Sequence, residues 1–252
     1  MTTIKAGAGM TPGRLHRLWQ TLPVGSLSDV IGAGNCLVLA PHPDDESLGC
    51  SGLIARCCVE SRPPVVVILT DCGGSHPGSR RDPPAKLAPL REPEAARAVQ
   101  ALGLPAERLT FLREPDTKAP HGGPAFDQIV VRQAACLRRF DCSAIVAPWR
   151  FDPHCVHAAA ARMATETARI AYVRHLSYPV WGWTLPDDTV LEEAAVRGWR
   201  LGVASQLDAK QCAIAAHASQ FGQVIDDVPD GFQLPVDLLR AADRPWETYL
   251  LP

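Results

Sequence analysis

Two short stretches of this chain concentrate residue types that hold cations and move protons. The first is Pro41-His42-Pro43-Asp44-Asp45-Glu46. The second is Asp152-Pro153-His154-Cys155-Val156-His157. One His and one Asp from the first stretch, with one His from the second, make three N/O ligands. That is the number a catalytic zinc site takes from its protein, leaving a further position for water. Imidazole and carboxylate suit Zn2+ or Fe2+ and not Ca2+, which prefers oxygen alone. A water on such an ion has a pKa near ~7, so it becomes a nucleophile at neutral pH. Asp44 and Asp45 are neighbours and point different ways on a regular strand, so one can ligate while the other faces the water. The plainer alternative is that Asp44-Asp45-Glu46 caps a helix and complements its dipole, with His154 and His157 a solvated helix entrance.

Both stretches must be brought together by secondary structure, and the pattern around them predicts how. Short apolar runs at 36–40, 65–69, 109–112 and 144–147 read as strands, with a fifth over 173–180. Between them, helical spacing covers 48–60, 87–102, 126–140 and 156–171. Strand and helix in alternation predict an α/β fold with a Rossmann-like, mostly parallel sheet and helices on both faces. The commonest order, third-second-first-fourth-fifth, sets the first and fourth strands side by side. Ligands of open α/β sheets bind at the C-terminal ends of such a pair, and both motifs follow those ends.

Residues 1–34 read as an N-terminal helix, about 12–22, with an approach segment, and 35–252 as one α/β domain. Within it, about 184–252 reads as a small C-terminal addition: two strands over 190–204, a helix over 207–220 and an irregular tail from 221. The Gly/Pro/Ser-rich stretch 72–89 reads as a long loop suited to a lid.

Composition narrows the class. Hydrophobic residues make up 46% of the 252 positions and charged residues 21%, ordinary values for a folded domain. The net charge of −2 argues against a strongly basic nucleic-acid binder. The longest apolar run, 65–69, is far short of a membrane span, and residues 1–12 lack the apolar core of a secretory signal. Nine cysteines without a C-x-x-C pair read as reduced core residues of a cytoplasmic protein. Homo-oligomerisation stays open. No P-loop, dinucleotide fingerprint or nucleophile elbow is present.

The motifs resemble those of the PIG-L/LmbE-like N-acetylglucosaminyl deacetylases. The His-Pro-Asp-Asp-Glu motif stands intact at 42–46, and His154-Cys155-Val156-His157 resembles the family's His-x-Asp-His. Pro148-Trp149-Arg150, Arg91-x-x-Glu94, Lys210 and Ser219-Gln220 add to the likeness, which spans about 36–220. The resemblance implies that His42, Asp45 and His157 hold zinc (or Fe2+). It implies Asp44 as general base and His154 as the residue that polarises the carbonyl or protonates the leaving amine. Arg91 and Asp116 fall where the family contacts its sugar. Val156 departs from the pattern, which has Asp before the last ligand; Asp152 is the nearest acceptor to stand behind the histidines.

The implied reaction is attack of metal-bound water on the amide of an N-acyl amino-sugar, a small-molecule substrate. Competing readings are an amidase for a larger acyl group or a thiol-conjugate amide, a metallophosphoesterase, and a binding protein that keeps the fold without turnover. The second of these needs two metals, and the motifs supply ligands for one.

Smaller signals carry plainer expectations. His76 and His121 read as solvated loop residues, and Arg80-Arg81 as a solvated charge pair. Asp71 reads as a loop cap or site residue, His217 as packing or site lining. Trp149, Tyr178, Trp181 and Trp183 read as core or as a sugar-stacking wall.

Overall fold

A computed structural model describes residues 10–191, 196–222, 224–228 and 231–252. Among the described residues, eight strands run in chain order: β1 Val24–Gly25, β2 Asn35–Ala40, β3 Val65–Thr70, β4 Leu109–Glu114, β5 Cys142–Pro148, β6 Arg174–Tyr178, β7 Gly198–Gly202 and β8 Trp246–Leu250. The α-helices are α1 Pro12–Gln20, α2 Leu27–Ile31, α3 Asp45–Val59, α4 Pro84–Ala101, α5 Pro124–Arg139, α6 Cys155–Ala171, α7 Leu207–Ala215 and α8 Val236–Ala242.

The central strands are apolar because both their faces are covered. Along β2, Cys36, Val38 and Ala40 enter one core with α3 and α4, while Leu37 and Leu39 enter a second. That second core is closed by α5 and α6 through Phe126, Ile129, Ala159 and Met163. One sheet runs β1-β7-β8-β6-β5-β2-β3-β4. Its segment β4-β3-β2-β5-β6 is parallel throughout, in the expected order. β2 and β5 pair directly, Leu37 opposite Ile145 and Val38 opposite Val146. The chain leaves this pair in opposite directions, so the loops after β2 and β5 open a crevice between them.

Gly49 lets α3 settle onto the sheet next to that crevice. A Cβ there would collide with the Tyr178 ring, whose hydroxyl donates to the Leu39 carbonyl at 2.9 Å.

The C-terminal part departs from expectation. The tail from 221 is not irregular: it carries α8 and β8, and β8 inserts antiparallel between β6 and β7. Only one strand, β7, forms over the described part of 190–204, and 192–195 lie outside the described residues, as do 1–9. The helix expected over 207–220 ends at Ala215, and a 3-10 turn, Ala218–Phe221, follows. The short β1 was not anticipated; it pairs with β7 at the sheet edge. Among the described residues no helix is long and apolar enough to cross a membrane.

Candidate metal centre

The turn after β2 aims two donors the same way. The Asp45 Oδ2 accepts the backbone N–H of His42 at 3.0 Å, and the Asp45 N–H reaches back to the His42 carbonyl at 3.3 Å. His42 Nδ1 then lies 3.1 Å from Asp45 Oδ2. From the other side of the crevice, His154 caps α6, its Nδ1 accepting the Val156 N–H at 3.3 Å. His157, in the first turn of α6, brings its Nε2 to 3.2 Å from the same Asp45 oxygen. Three donor atoms from residues 115 positions apart in sequence thus converge (157 − 42 = 115).

The spacing fits a metal. Two N/O ligands on a tetrahedral zinc, each about 2.0–2.1 Å from the ion, stand about 3.3 Å apart. His157 Nε2 is buried and makes no well-aligned hydrogen bond, with Asp45 Oδ2 beside it at 3.2 Å. Its other nitrogen, Nδ1, is taken by Asp152 Oδ2 at 3.0 Å. A ring with one nitrogen held by a carboxylate and the other bare and buried has the form of a metal-binding histidine. Nitrogens of His42, His154 and His157 also lie within 4.8 Å of one another, so a three-histidine set could hold a divalent metal as well.

Carboxylates surround these rings. His42 Nε2 lies 3.1 Å from Asp116 Oδ1. Burial disfavours a charge on His42, yet the bonds to Asp116 and Asp45 outweigh it and raise its pKa to about 9. His157 rises to about 10: burial again opposes, and Asp45 and Asp152 prevail. Burial would likewise raise Asp45, but the two imidazoles hold its carboxyl well below the usual range. The pocket is therefore built to hold positive charge, whether protons or a metal. His154 goes the other way, to about 4, because it is buried beside two cationic rings.

Asp44 stands apart from this triad. Burial, then the Asp45 charge beside it, pushes its carboxyl up to about 7. Its backbone sits at φ 140°, ψ −30°, a conformation L-residues avoid, at a cost of about 1–3 kcal/mol. Such strain persists only where surrounding bonds enforce it. Here the Asp44 N–H donates to Glu46 Oε2 at 3.0 Å, and its carbonyl accepts from Ser47 and Leu48.

Several of these groups border a cavity of about 410 Å³, with His157 and Asp152 buried behind its wall. His42, Asp44, Asp45 and His154 line one side. Arg91 and Gln220 line it too, both buried and carrying side-chain nitrogens without partners. Leu48, Trp181 and Phe232 supply apolar wall, with Trp181 and Phe232 edge to face at 6.0 Å.

Each residue singled out in the sequence now has a place. Asp152 stands behind His157 and not behind His154, and it also accepts the N–H groups of Val180 and Gly182. Arg91 donates from Nη1 to Cys72 Sγ at 2.7 Å. Asp116 lines the cavity, but both its oxygens already have partners, one the His42 ring and the other the Gly74 N–H. Of the four aromatics, only Trp181 lines the cavity. Trp149 and Trp183 pack on Trp19, and Tyr178 is core. Asp71 caps its loop through the N–H groups of Gly73 and Asp116. His76 corrects expectation: it is 1% exposed, bonded to Ser75 and packed where a Gly231 Cβ would be.

The stretch 72–83 before α4 is pinned by Asp227, whose carboxylate takes the Ser79 hydroxyl and the N–H groups of Arg80 and Arg81. Sequence reasoning passed over Cys72 and Phe232. Phe232 sits in the Pro- and Asp-rich tail, where nothing marks a cavity residue.

The family model for GlcNAc-PI de-N-acetylase, PIG-L, matches residues 37–168. The chain belongs to this family. The match runs from β2 to α6 and so takes in both motifs. No curated protein sequence matches the chain. Among solved structures, the conserved protein TT1542 from Thermus thermophilus aligns at TM-score 0.63 and 25% identity, over 87% of this chain and 95% of that one. The N,N'-diacetylchitobiose deacetylase from Pyrococcus horikoshii aligns at TM-score 0.63 and 17% identity, over 94% and 90%. GalB from Pseudomonas putida KT2440, a 4-carboxy-2-hydroxymuconate hydratase, aligns at TM-score 0.59 and 20% identity, over 75% and 80%. At the identities of the last two, the likeness speaks for the fold alone. The chemistry must come from the site.

Proposed function

We propose that this PIG-L-family protein is a metal-dependent hydrolase that removes an N-acetyl group from an amino-sugar conjugate. The observation that carries the reading is the meeting of His42 Nδ1, Asp45 Oδ2 and the bare His157 Nε2 at 3.1–3.2 Å, beside a cavity that Asp44 and His154 line. In this reading His42, Asp45 and His157 hold the ion, zinc by preference and Fe2+ as the other fit. A divalent ion there supplies Lewis acidity, which polarises a carbonyl and acidifies water.

The chain's own residues do the rest. Asp44, whose carboxyl burial has moved up to about 7, takes a proton from the attacking water near neutral pH. His154 uses Nδ1 on the Val156 N–H, so its Nε2 carries the proton in the neutral ring. That N–H supports the oxyanion as the amide carbon becomes tetrahedral. The C–N bond then breaks, the amine leaves with the proton taken from water, and acetate and free amine are released. Arg91 offers Nε and Nη2 to substrate oxygens. Asp116 orients the His42 ring and borders the sugar's place. Asp152 fixes the His157 tautomer. The reading keeps 35–252 as one catalytic domain working in the cytoplasm.

The apolar wall of Leu48, Trp181 and Phe232 supports a second reading, in which a larger acyl or thiol-conjugate amide is cleaved. Metal-stripped protein reloaded with Zn2+ or Fe2+ should be assayed on GlcNAc conjugates of graded acyl length. Asp44→Asn and His154→Ala should each lower turnover by about 10²–10⁴-fold, leaving a measurable residual rate, while retaining metal. Full activity in both variants defeats the assigned roles. Loss of metal from His154→Ala would favour the three-histidine set.

A further inference from the structure

Asp44 is strained, and the group that enforces the strain is itself held from far away. Glu46 is fully buried. Its Oε2 accepts the Asp44 N–H at 3.0 Å. Its Oε1 accepts the Ser47 hydroxyl at 2.7 Å and lies 3.0 Å from His217 Nε2. His217 follows α7 and is 171 residues from Glu46 in sequence. It is 1% exposed, and its Nε2 also lies 3.0 Å from Ser47 Oγ.

A buried carboxylate between Asp44 and His217 is costly unless each oxygen is bonded. What the bonds achieve is directional: they fix one backbone amide, at the residue whose φ is 140°. Free of Glu46, the 44–46 turn could relax toward an ordinary helix entrance, which would swing the Asp44 carboxylate away from its present place.

We propose that His217, acting through Glu46, is a positioning residue that locks the Asp44 backbone in the conformation that presents its carboxylate to the cavity. The proposal rests on the reading of Asp44 as general base. The His217 side chain reaches Glu46 and Ser47 and is not part of the cavity wall, although its backbone carbonyl accepts the N–H of cavity-lining Gln220 at 2.9 Å. It acts on rate and not on substrate affinity.

The test uses the whole 252-residue chain loaded with zinc, and a GlcNAc conjugate as substrate. His217→Leu should lower kcat by about 10–100-fold with KM within about threefold, while metal content and melting temperature hold. His217→Gln, whose amide nitrogen reaches the place of Nε2, should restore most of the rate. In an Asp44→Asn background, His217→Leu should cost nothing further, because the two act as one unit.

Wild-type kcat in His217→Leu overturns the proposal. So does an equal loss in both backgrounds, or a loss explained by missing metal. Should the Leu variant not fold, His217→Asn replaces it: its shorter amide falls short of Glu46 and must be slower than Gln, and equal rates overturn the proposal. An active Asp44→Asn protein sinks the general-base reading itself. An inactive Asp44→Asn with a fast His217→Leu sinks only the positioning role.

Discussion

Asp152 Oδ2 and His157 Nδ1 stand 3.0 Å apart with both side chains wholly buried. The same carboxylate accepts the backbone N–H groups of Val180, Trp181 and Gly182, so it cannot turn away without losing several bonds. In the neutral ring it holds the His157 proton on Nδ1 and leaves Nε2 as a free lone pair toward Asp45. Replacing a carboxylate behind a metal-binding histidine typically costs about 10–100-fold in affinity. Asp152→Asn should therefore weaken zinc binding by about that factor, because its amide removes the negative charge behind His157 and keeps one acceptor oxygen in place of two, so that the bonds at Oδ1 and at Oδ2 cannot both survive. Competition against a chromogenic chelator reads it directly. An unchanged affinity would mean that the carboxylate charge behind His157 adds nothing to metal binding.

In the proposed site, protons and metal would compete for the same nitrogens. His42 and His157, raised to about 9 and about 10, are both protonated at pH 7 in the metal-free protein. Binding must displace both protons. The apparent zinc affinity should thus rise by up to about 100-fold per pH unit between pH 6 and 8, two protons leaving per ion. Calorimetry in buffers of different ionisation enthalpy should count about two protons released. Fewer than one would show that the carboxylates do not hold these rings charged.

Much of this was legible beforehand, for a physical reason. The central strands are buried on both faces, so they read as unbroken apolar runs, and a parallel order with the motifs at two adjacent strand ends followed. His42, Asp45 and His157 meet as that order requires. What escaped depends on contacts distant in sequence. β8 reads Trp-Glu-Thr-Tyr-Leu, and buried Glu247 interrupts its apolar character. The strand makes sense only beside β6, β7 and Lys210, none of which a local window contains. The Asp116–His42 and Glu46–His217 contacts join residues 74 and 171 positions apart, and nothing local marks either pairing.

That buried glutamate supports a stability prediction. Lys210 Nζ and Glu247 Oε1 are 2.6 Å apart, each side chain almost fully buried. Glu247 also receives the N–H groups of Gly52 and Leu53 in α3 and the Tyr249 hydroxyl. Removing one partner strands a buried charge, which costs about 3–5 kcal/mol. Lys210→Met should lower the unfolding free energy by about that amount in chemical denaturation. Lys210→Met with Glu247→Gln should lose clearly less than the two singles summed. Strict additivity would mean that the pair does not interact.

His175 makes the acid limit of the fold testable. It lies on β6 opposite Ile145, and neither ring nitrogen has a partner. Burial drives its pKa down to about 4, against 6.5 for the free side chain. Between those values the unfolded chain binds a proton that the folded chain refuses, so stability falls with acid. This contribution is intact above pH 6.5 and is lost progressively as the pH drops toward 4. Between pH 7 and pH 5 the difference amounts to about 1–2 kcal/mol. His42 and His157, with raised values, act in the opposite sense, so the wild-type profile alone mixes the signs. His175→Leu isolates the effect: its loss of stability from pH 7 to pH 5 should be smaller than wild type's by about 1–2 kcal/mol. Parallel profiles in urea titrations at the two pH values would show that His175 takes up its proton without unfolding.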